Sequence, residues 1–206
     1  MIIRLLRCVL VVSLLLGMSS TAQATLISVD PDSHSAMTDI SNLYPGVTLS
    51  AVGTDVGTAS VFAVGSSIAS TGANIFGNDI WDRWVVSAYE LRADFDTPTD
   101  FVSIDIINFS TSGGTHGYLN AYDGVGNLVA STDIFVAEGI GNVGPISINA
   151  PGADIAYVMA GGSHEDAVLL DNLQYNDAAP VPEPATVLLL GTGLVGLMGF
   201  RKKFKK

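Results

Sequence analysis

The residues best suited to hold a ligand fall in one stretch, Asn74-Ile75-Phe76-Gly77-Asn78-Asp79-Ile80-Trp81-Asp82-Arg83-Trp84, which contains both tryptophans of the chain. Flat aromatic faces pack against sugar rings, and Asn, Asp and Arg side chains bond sugar hydroxyls. Trp81, Arg83 and Trp84 are therefore candidate glycan contacts. The two tryptophans are three apart, so on a strand they would point to opposite faces and at most one would meet a ligand. The competing role for both is as buried core anchors. A second group follows two glycine pairs: His116 and Tyr118 come after Gly113-Gly114, and His164, Glu165 and Asp166 after Gly161-Gly162. These loops could meet at one end of a sandwich, which adds His116 and Tyr118 to the glycan candidates, or they could simply be exposed polar turns.

Catalytic patterns are weak by comparison. None of the three histidines, His34, His116 and His164, lies in a His-Glu-x-x-His spacing, and no Gly-x-Ser-x-Gly elbow exists. Two carboxylates can be paired on paper in any acidic chain, which does not make a glycosidase. The sequence reads as that of a protein without enzymatic activity, with a secreted hydrolase as the remaining alternative.

Charge narrows the partners. Between Thr25 and Pro182 nineteen acidic residues face two basic ones, Arg83 and Arg92. So acidic a segment repels phosphate backbones, which argues against nucleic acid. It also offers many oxygens to divalent cations. The single cysteine, Cys8, lies in the first apolar run, so disulfides and thiol chemistry are not expected of the remainder.

The elements that must position these residues read as strands. Short β-rich runs recur at Leu26–Val29, Val47–Val52, Ala59–Val64, Val85–Phe95, Phe101–Phe109, Tyr118–Tyr122, Leu128–Val136, Val143–Ile148, Ile155–Ala160 and Val168–Tyr175, with turn residues between them. Leu91, Ala93 and Phe95 alternate with Arg92 and Asp94, the period of a half-buried strand. Asp123-Gly124-Val125-Gly126-Asn127 between two such runs predicts a hairpin. No second domain or internal repeat is evident. The fold class expected is all-β, an antiparallel sandwich, with an N-terminal signal helix and a short C-terminal transmembrane helix.

The hairpin at Tyr118–Ser131, the run Ile155–Ala160 and the closing Val168–Leu173 with its Asp171-Asn172 pair resemble jelly-roll sandwiches of the galactose-binding and carbohydrate-binding-module kind. That resemblance implies association with polysaccharide. It also implies a structural Ca²⁺ between the chain start and the last strand, for which Asp30, Asp32 and Asp171 would be the donors. Calcium wants six or more oxygens, and Asp171 could bond backbone groups instead.

The two ends carry addresses. Arg4 and Arg7, the apolar run Cys8–Met18 and Ala22-Gln23-Ala24 are in the order of a secretory signal cut after Ala24, with Ala22 and Ala24 as the small residues of the cleavage site. At the other end, Pro182-Glu183-Pro184 precedes an uncharged run, Ala185–Phe200, and then Arg201, Lys202, Lys203, Lys205 and Lys206. Sixteen helical residues would reach about 24 Å, short of a hydrocarbon core of about 30 Å. Snorkelling of the lysines or local thinning would cover the difference. The basic cluster should remain cytoplasmic. The order Pro-Glu-Pro, short apolar helix, basic end resembles the PEP-CTERM sorting signal of Gram-negative bacteria. It implies recognition and processing by an exosortase, a membrane transpeptidase-like enzyme, and a link to extracellular polysaccharide and biofilm.

The organisation expected is therefore a signal peptide over 1–24, a β-sandwich ectodomain over 25–177, and a linker with sorting signal over 178–206 (motif 182–184, apolar helix 185–200, basic end 201–206). The function expected is that of an exported cell-surface or matrix protein, held transiently at the inner membrane and then released to the surface or medium. Its sandwich binds or associates with polysaccharide. The alternative is a passive structural or adhesive matrix protein without a ligand site.

Overall fold

The computed structural model describes residues 25–55, 57–78, 82–152 and 154–177. The expected signal helix, transmembrane helix and sorting motif lie outside the described residues. Among those described, the strands are β1 (Thr25–Val29), β2 (Val47–Gly53), β3 (Gly57–Ala59), β4 (Val61–Gly65), β5 (Asn74–Asn78), β6 (Glu90–Thr99), β7 (Phe101–Asn108), β8 (Thr115–Tyr122), β9 (Leu128–Val136), β10 (Val143–Asn149), β11 (Ile155–Gly162) and β12 (Val168–Asp177). A single 3-10 turn, Pro31–Ser33, follows β1. No helix among the described residues is long and apolar enough to cross a membrane.

The strands form an antiparallel β-sandwich of the jelly-roll kind. One sheet runs β10-β7-β12-β5-β4, with β1 also on β12; the other runs β3-β2-β6-β11-β8-β9. From β6 onward the chain crosses repeatedly between sheets, which places β7, β10 and β12 in the first and β6, β8, β9 and β11 in the second. Alternation explains the layers. On β6, Leu91, Ala93 and Phe95 are buried while Arg92 and Asp94 are half-exposed. On β10, Gly144, Ile146 and Ile148 face in and their neighbours face out. The inward sets of both sheets meet in one core that includes Leu49, Phe76, Trp84, Ile104, Ile106, Leu119, Val158, Leu170 and Leu173. Each fully buried side chain of this kind contributes about 1.5–3 kcal/mol.

Three strands of the first sheet break their alternation to serve a second cluster. Ile75, Ile107 and Leu169 are buried on the opposite side from their neighbours Phe76, Ile106 and Leu170, under Val64, Ile68, Ala69 and Phe109. The segment 66–73 thus lies over the outer face of the first sheet. Two carboxylates pin it there. Asp171 Oδ2 accepts from the amides of Ser70 and Thr71 at 2.9 and 3.0 Å, and Asp32 Oδ1 accepts from the amides of Ala73 and Asn74 at 2.6 and 2.8 Å.

β12 changes partners in its middle. Its pairing with β7 slips between Asp171 and Gln174, and its other edge passes from β5 at Leu170 to β1 at Leu173–Asp177. Asn172 takes the left-handed conformation at this bulge, φ +49°. Asn tolerates that geometry better than most residues. The Asp-Asn pair is therefore a bulge with its loop anchor.

Candidate functional site

The stretch singled out for its tryptophans divides between a strand and a buried anchor, with residues 79–81 outside the described residues. Asn74–Asn78 is strand β5, inside the first sheet. Trp84 is 0 % exposed, and its indole N–H donates to the Phe76 carbonyl at 2.9 Å. Its backbone also bridges Val168, with N–H to O distances of 2.9 and 3.1 Å. Trp84 is a core anchor, and the expectation that it touches a glycan is corrected on burial alone. Trp81 lies outside the described residues. Arg83 sets its guanidinium 3.9 Å over the Phe109 ring and 3.6 Å from Asp82, at the margin of the second apolar cluster.

The glycine-flanked loops do come together. His116 opens the outer face of β8, and the turn after β11 brings Asp166 to it: Asp166 Oδ2 lies 2.9 Å from His116 Nδ1 and 2.8 Å from its amide. Partial burial draws the Asp166 carboxyl upward. The hydrogen bonds from the His116 ring and amide, with the charge of both imidazoles, outweigh it and hold the group below the usual aspartate range. The His116 ring packs on Phe135 of β9 at 4.9 Å and on His164 at 4.8 Å between centroids. Phe135 is 58 % exposed.

Tyr118 departs from expectation. Its ring belongs to the same outer face but is buried, and its hydroxyl is bonded to Glu90 of β6. Burial raises its pKa, and Glu90 raises it further. The ring is already packed and does not offer a stacking surface.

What sequence reasoning missed is the middle of this face. Leu119 and Ala121 point into the core, so Tyr118, Asn120 and Tyr122 point out; on β11, Val158 and Ala160 point in, and Tyr157 and Met159 point out. Register places Tyr157 between Asp94 and Tyr122, and Met159 between Arg92 and Asn120. The Tyr122 and Tyr157 rings stack at 4.8 Å with 8° between planes. Arg92 lies 3.8 Å from the Tyr157 centroid and grips Asp94 through Nε at 2.8 Å and a second nitrogen at 2.6 Å. The Asp94 hydrogen bond is the main reason the Arg92 pKa is raised. Beside this stack the Ser131 hydroxyl donates to Asn120 Oδ1 at 2.6 Å. The alternation on β8 was the signal available; the neighbour across the strand, which turns single tyrosines into a stack, is not written locally.

The three expected calcium donors are each engaged in hydrogen bonds of their own. Asp171 Oδ2 accepts two amides and lies 2.9 and 3.2 Å from the hydroxyls of Ser70 and Thr71, and Oδ1 accepts the Asn172 amide. Asp32 Oδ1 holds two amides, and Asp30 Oδ1 accepts the Asp32 amide at 2.9 Å as the cap of the 3-10 turn. Of the oxygens on these three carboxylates, Asp32 Oδ2 is the one buried without a hydrogen-bond partner among the described residues, and calcium takes six or more. Among the described residues no three acidic, His or Cys side chains converge on a metal position. Tyr44 closes this corner by donating to the Asp30 carbonyl at 2.6 Å; burial first, then Asp30, Asp32 and Asp171, push its pKa up.

Comparison with known proteins adds the address. Residues 180–203 match the PEP-CTERM protein-sorting motif. The chain is thus an exported protein carrying that signal, destined for the surface or the outside. A search of curated proteins finds no match. Among solved structures it is similar to the K2 cleaved adhesin domain of Lys-gingipain, at 12 % identity over 73 % of this chain and 99 % of that one, with a TM-score of 0.48. It is also similar to a family 35 carbohydrate binding module from Clostridium thermocellum, at 13 % identity over 74 % and 98 %, with a TM-score of 0.39. Neither likeness is close enough to carry a ligand across.

Proposed function

We propose that this is a non-enzymatic matrix protein whose sandwich associates with neutral polysaccharide across the outer face of β6, β11, β8 and β9. The observation that supports it is the Tyr122–Tyr157 stack between Arg92 and the Asn120–Ser131 pair, an aromatic and amide surface on the sheet that segment 66–73 leaves uncovered. Tyrosine supplies both apolar area and hydroxyls at little conformational cost, the combination a sugar ring needs. Neutral rather than anionic glycan follows from charge: Arg92 and Arg83 each face an aspartate amid an excess of carboxylates. In this reading Pro182, Glu183 and Pro184 hand the chain to an exosortase while the apolar run and basic end hold it in the inner membrane.

The test is affinity electrophoresis of the full chain in detergent through gels containing soluble neutral polysaccharides or a polyuronate. Retardation by a neutral polymer, lost in Tyr122→Ala/Tyr157→Ala, is expected. If no polymer retards the wild-type chain, the passive structural reading takes its place. The burial of Trp84 already favours that reading for the stretch that contains it.

A further inference from the structure

The geometry points to a transition-metal site at the opposite end of this face, formed by His116 and His164 and independent of any glycan. The two imidazoles come from distant parts of the chain, one from the start of β8 and the other from the turn after β11, and their centroids are 4.8 Å apart with 53° between planes. A metal about 2.0 Å from one nitrogen of each ring holds two ring centres about 5 Å apart. The separation of the two ring centres matches that value.

The nitrogens available are defined by what the others do. His116 Nδ1 is taken by Asp166, and His164 Nδ1 lies 3.1 Å from the Ser163 hydroxyl. Nothing among the described residues hydrogen-bonds to either Nε2. A carboxylate on the far nitrogen is the usual partner of a metal-binding imidazole, because it fixes the tautomer and turns the ring. Asp166 is thus a positioning residue, held to His116 through both ring and amide.

The turn that delivers His164 is strained in the same place. His164 and Glu165 are consecutive left-handed residues with φ +56° and +67°, and neither is glycine. Such strain collects where geometry serves a purpose. Two imidazoles would leave the remaining coordination positions to water, and that open sphere suits copper or zinc rather than calcium or magnesium.

The probe is Cu²⁺ added to the untagged full chain in detergent, read by electron paramagnetic resonance and by competition with Zn²⁺. One equivalent is expected to bind with two nitrogens in the superhyperfine pattern. His116→Ala and His164→Gln should each weaken binding at least tenfold. Asp166→Asn should weaken it about 10-fold to 100-fold and alter the spectrum. His34→Ala, whose ring packs edge-on to Tyr44 elsewhere, should change nothing. The His164 side is exposed, so His164→Gln tests the site without touching the core. Absence of a stoichiometric two-nitrogen signal, or unchanged affinity in the His116 and His164 variants, overturns the assignment.

Discussion

Asp105 on β7 and Asp171 on β12 stand directly opposite one another, and a single hydroxyl bridges them: Ser70 Oγ lies 2.7 Å from Asp105 Oδ2 and 2.9 Å from Asp171 Oδ2. One hydroxyl proton can serve one of these oxygens at a time. A proton on Asp171 would satisfy both contacts. Burial pushes the Asp171 carboxyl up, against the pull of the Thr71, Ser70 and Asn172 hydrogen bonds, so the folded chain takes up that proton more readily than the unfolded one.

The pH dependence follows from the sign of that shift. A carboxyl whose folded pKa is raised adds stability that is complete below its unfolded value, about 3.9, and is lost as pH rises through the folded value. Asp39, Asp123 and Asp166 are lowered, so their contribution is lost only as pH falls below about 3.9. The two windows do not overlap. Asp171→Asn should therefore be more destabilising near pH 4 than at neutral pH. At neutral pH it should cost about 1–3 kcal/mol, because its amide must face a donor at one of the two oxygen positions. Urea unfolding of both proteins across about pH 4 to 7 measures this; a difference that shrinks on acidification contradicts it.

Trp84 separates packing from hydrogen bonding. Trp84→Phe keeps most of the ring but removes the indole donor to the buried Phe76 carbonyl, and should cost about 1–3 kcal/mol. Trp84→Ala also opens a cavity in the main core and should cost about 3–5 kcal/mol. Both should lower the urea midpoint without changing its slope, since the denatured chain is the same.

How far the sequence could be read depended on where the information lies. Period-two alternation at Leu91, Ala93 and Phe95 is local, and there the inward set of β6 emerged directly, although the strand spans Glu90–Thr99 and not the expected Val85–Phe95. β5 was invisible because Asn74-Ile75-Phe76-Gly77-Asn78 mixes turn residues with two apolar ones, and it is a strand only because β4 and β12 flank it. Ile107 and Leu169 broke alternation for a reason supplied by segment 66–73, far away in the chain. The candidate site divided the same way. The meeting of His116 with Asp166 was foreseeable from the glycine pairs, but Tyr118 looked exposed by position and is covered by Glu90, a neighbour two strands away.

Gly162 tests whether the His164 turn is held by close backbone packing. A Cβ there would collide with the Asp166 carbonyl and lie 3.0 Å from the Trp84 carbonyl. Neither is the end of a flexible side chain, so the Ser163–Asp166 turn must move. Gly162→Ala should cost about 1–3 kcal/mol in thermal unfolding. It should also detach Asp166 from His116, seen as loss of the hydrogen-bonded Nδ1 proton in the imidazole NMR spectrum. An unchanged spectrum would mean the turn absorbs the methyl elsewhere.

The sorting signal makes a prediction about mass. Residues 180–203 match the PEP-CTERM motif, and processing at both ends would leave a species beginning at Thr25 and lacking the apolar run and Lys206. Among the described residues the buried core runs from Val29 to Tyr175, inside the span that processing at both ends would leave. Intact mass of protein recovered from outside the host cells should show the shortened species, with its melting temperature equal to that of the full chain in detergent. Replacing Glu183 by Ala should leave Lys206 on the recovered chain and shift the protein to the membrane fraction. A wild-type species that retains Lys206 would make this a membrane-anchored protein, and its sandwich would then meet partners at the inner membrane instead of in the matrix.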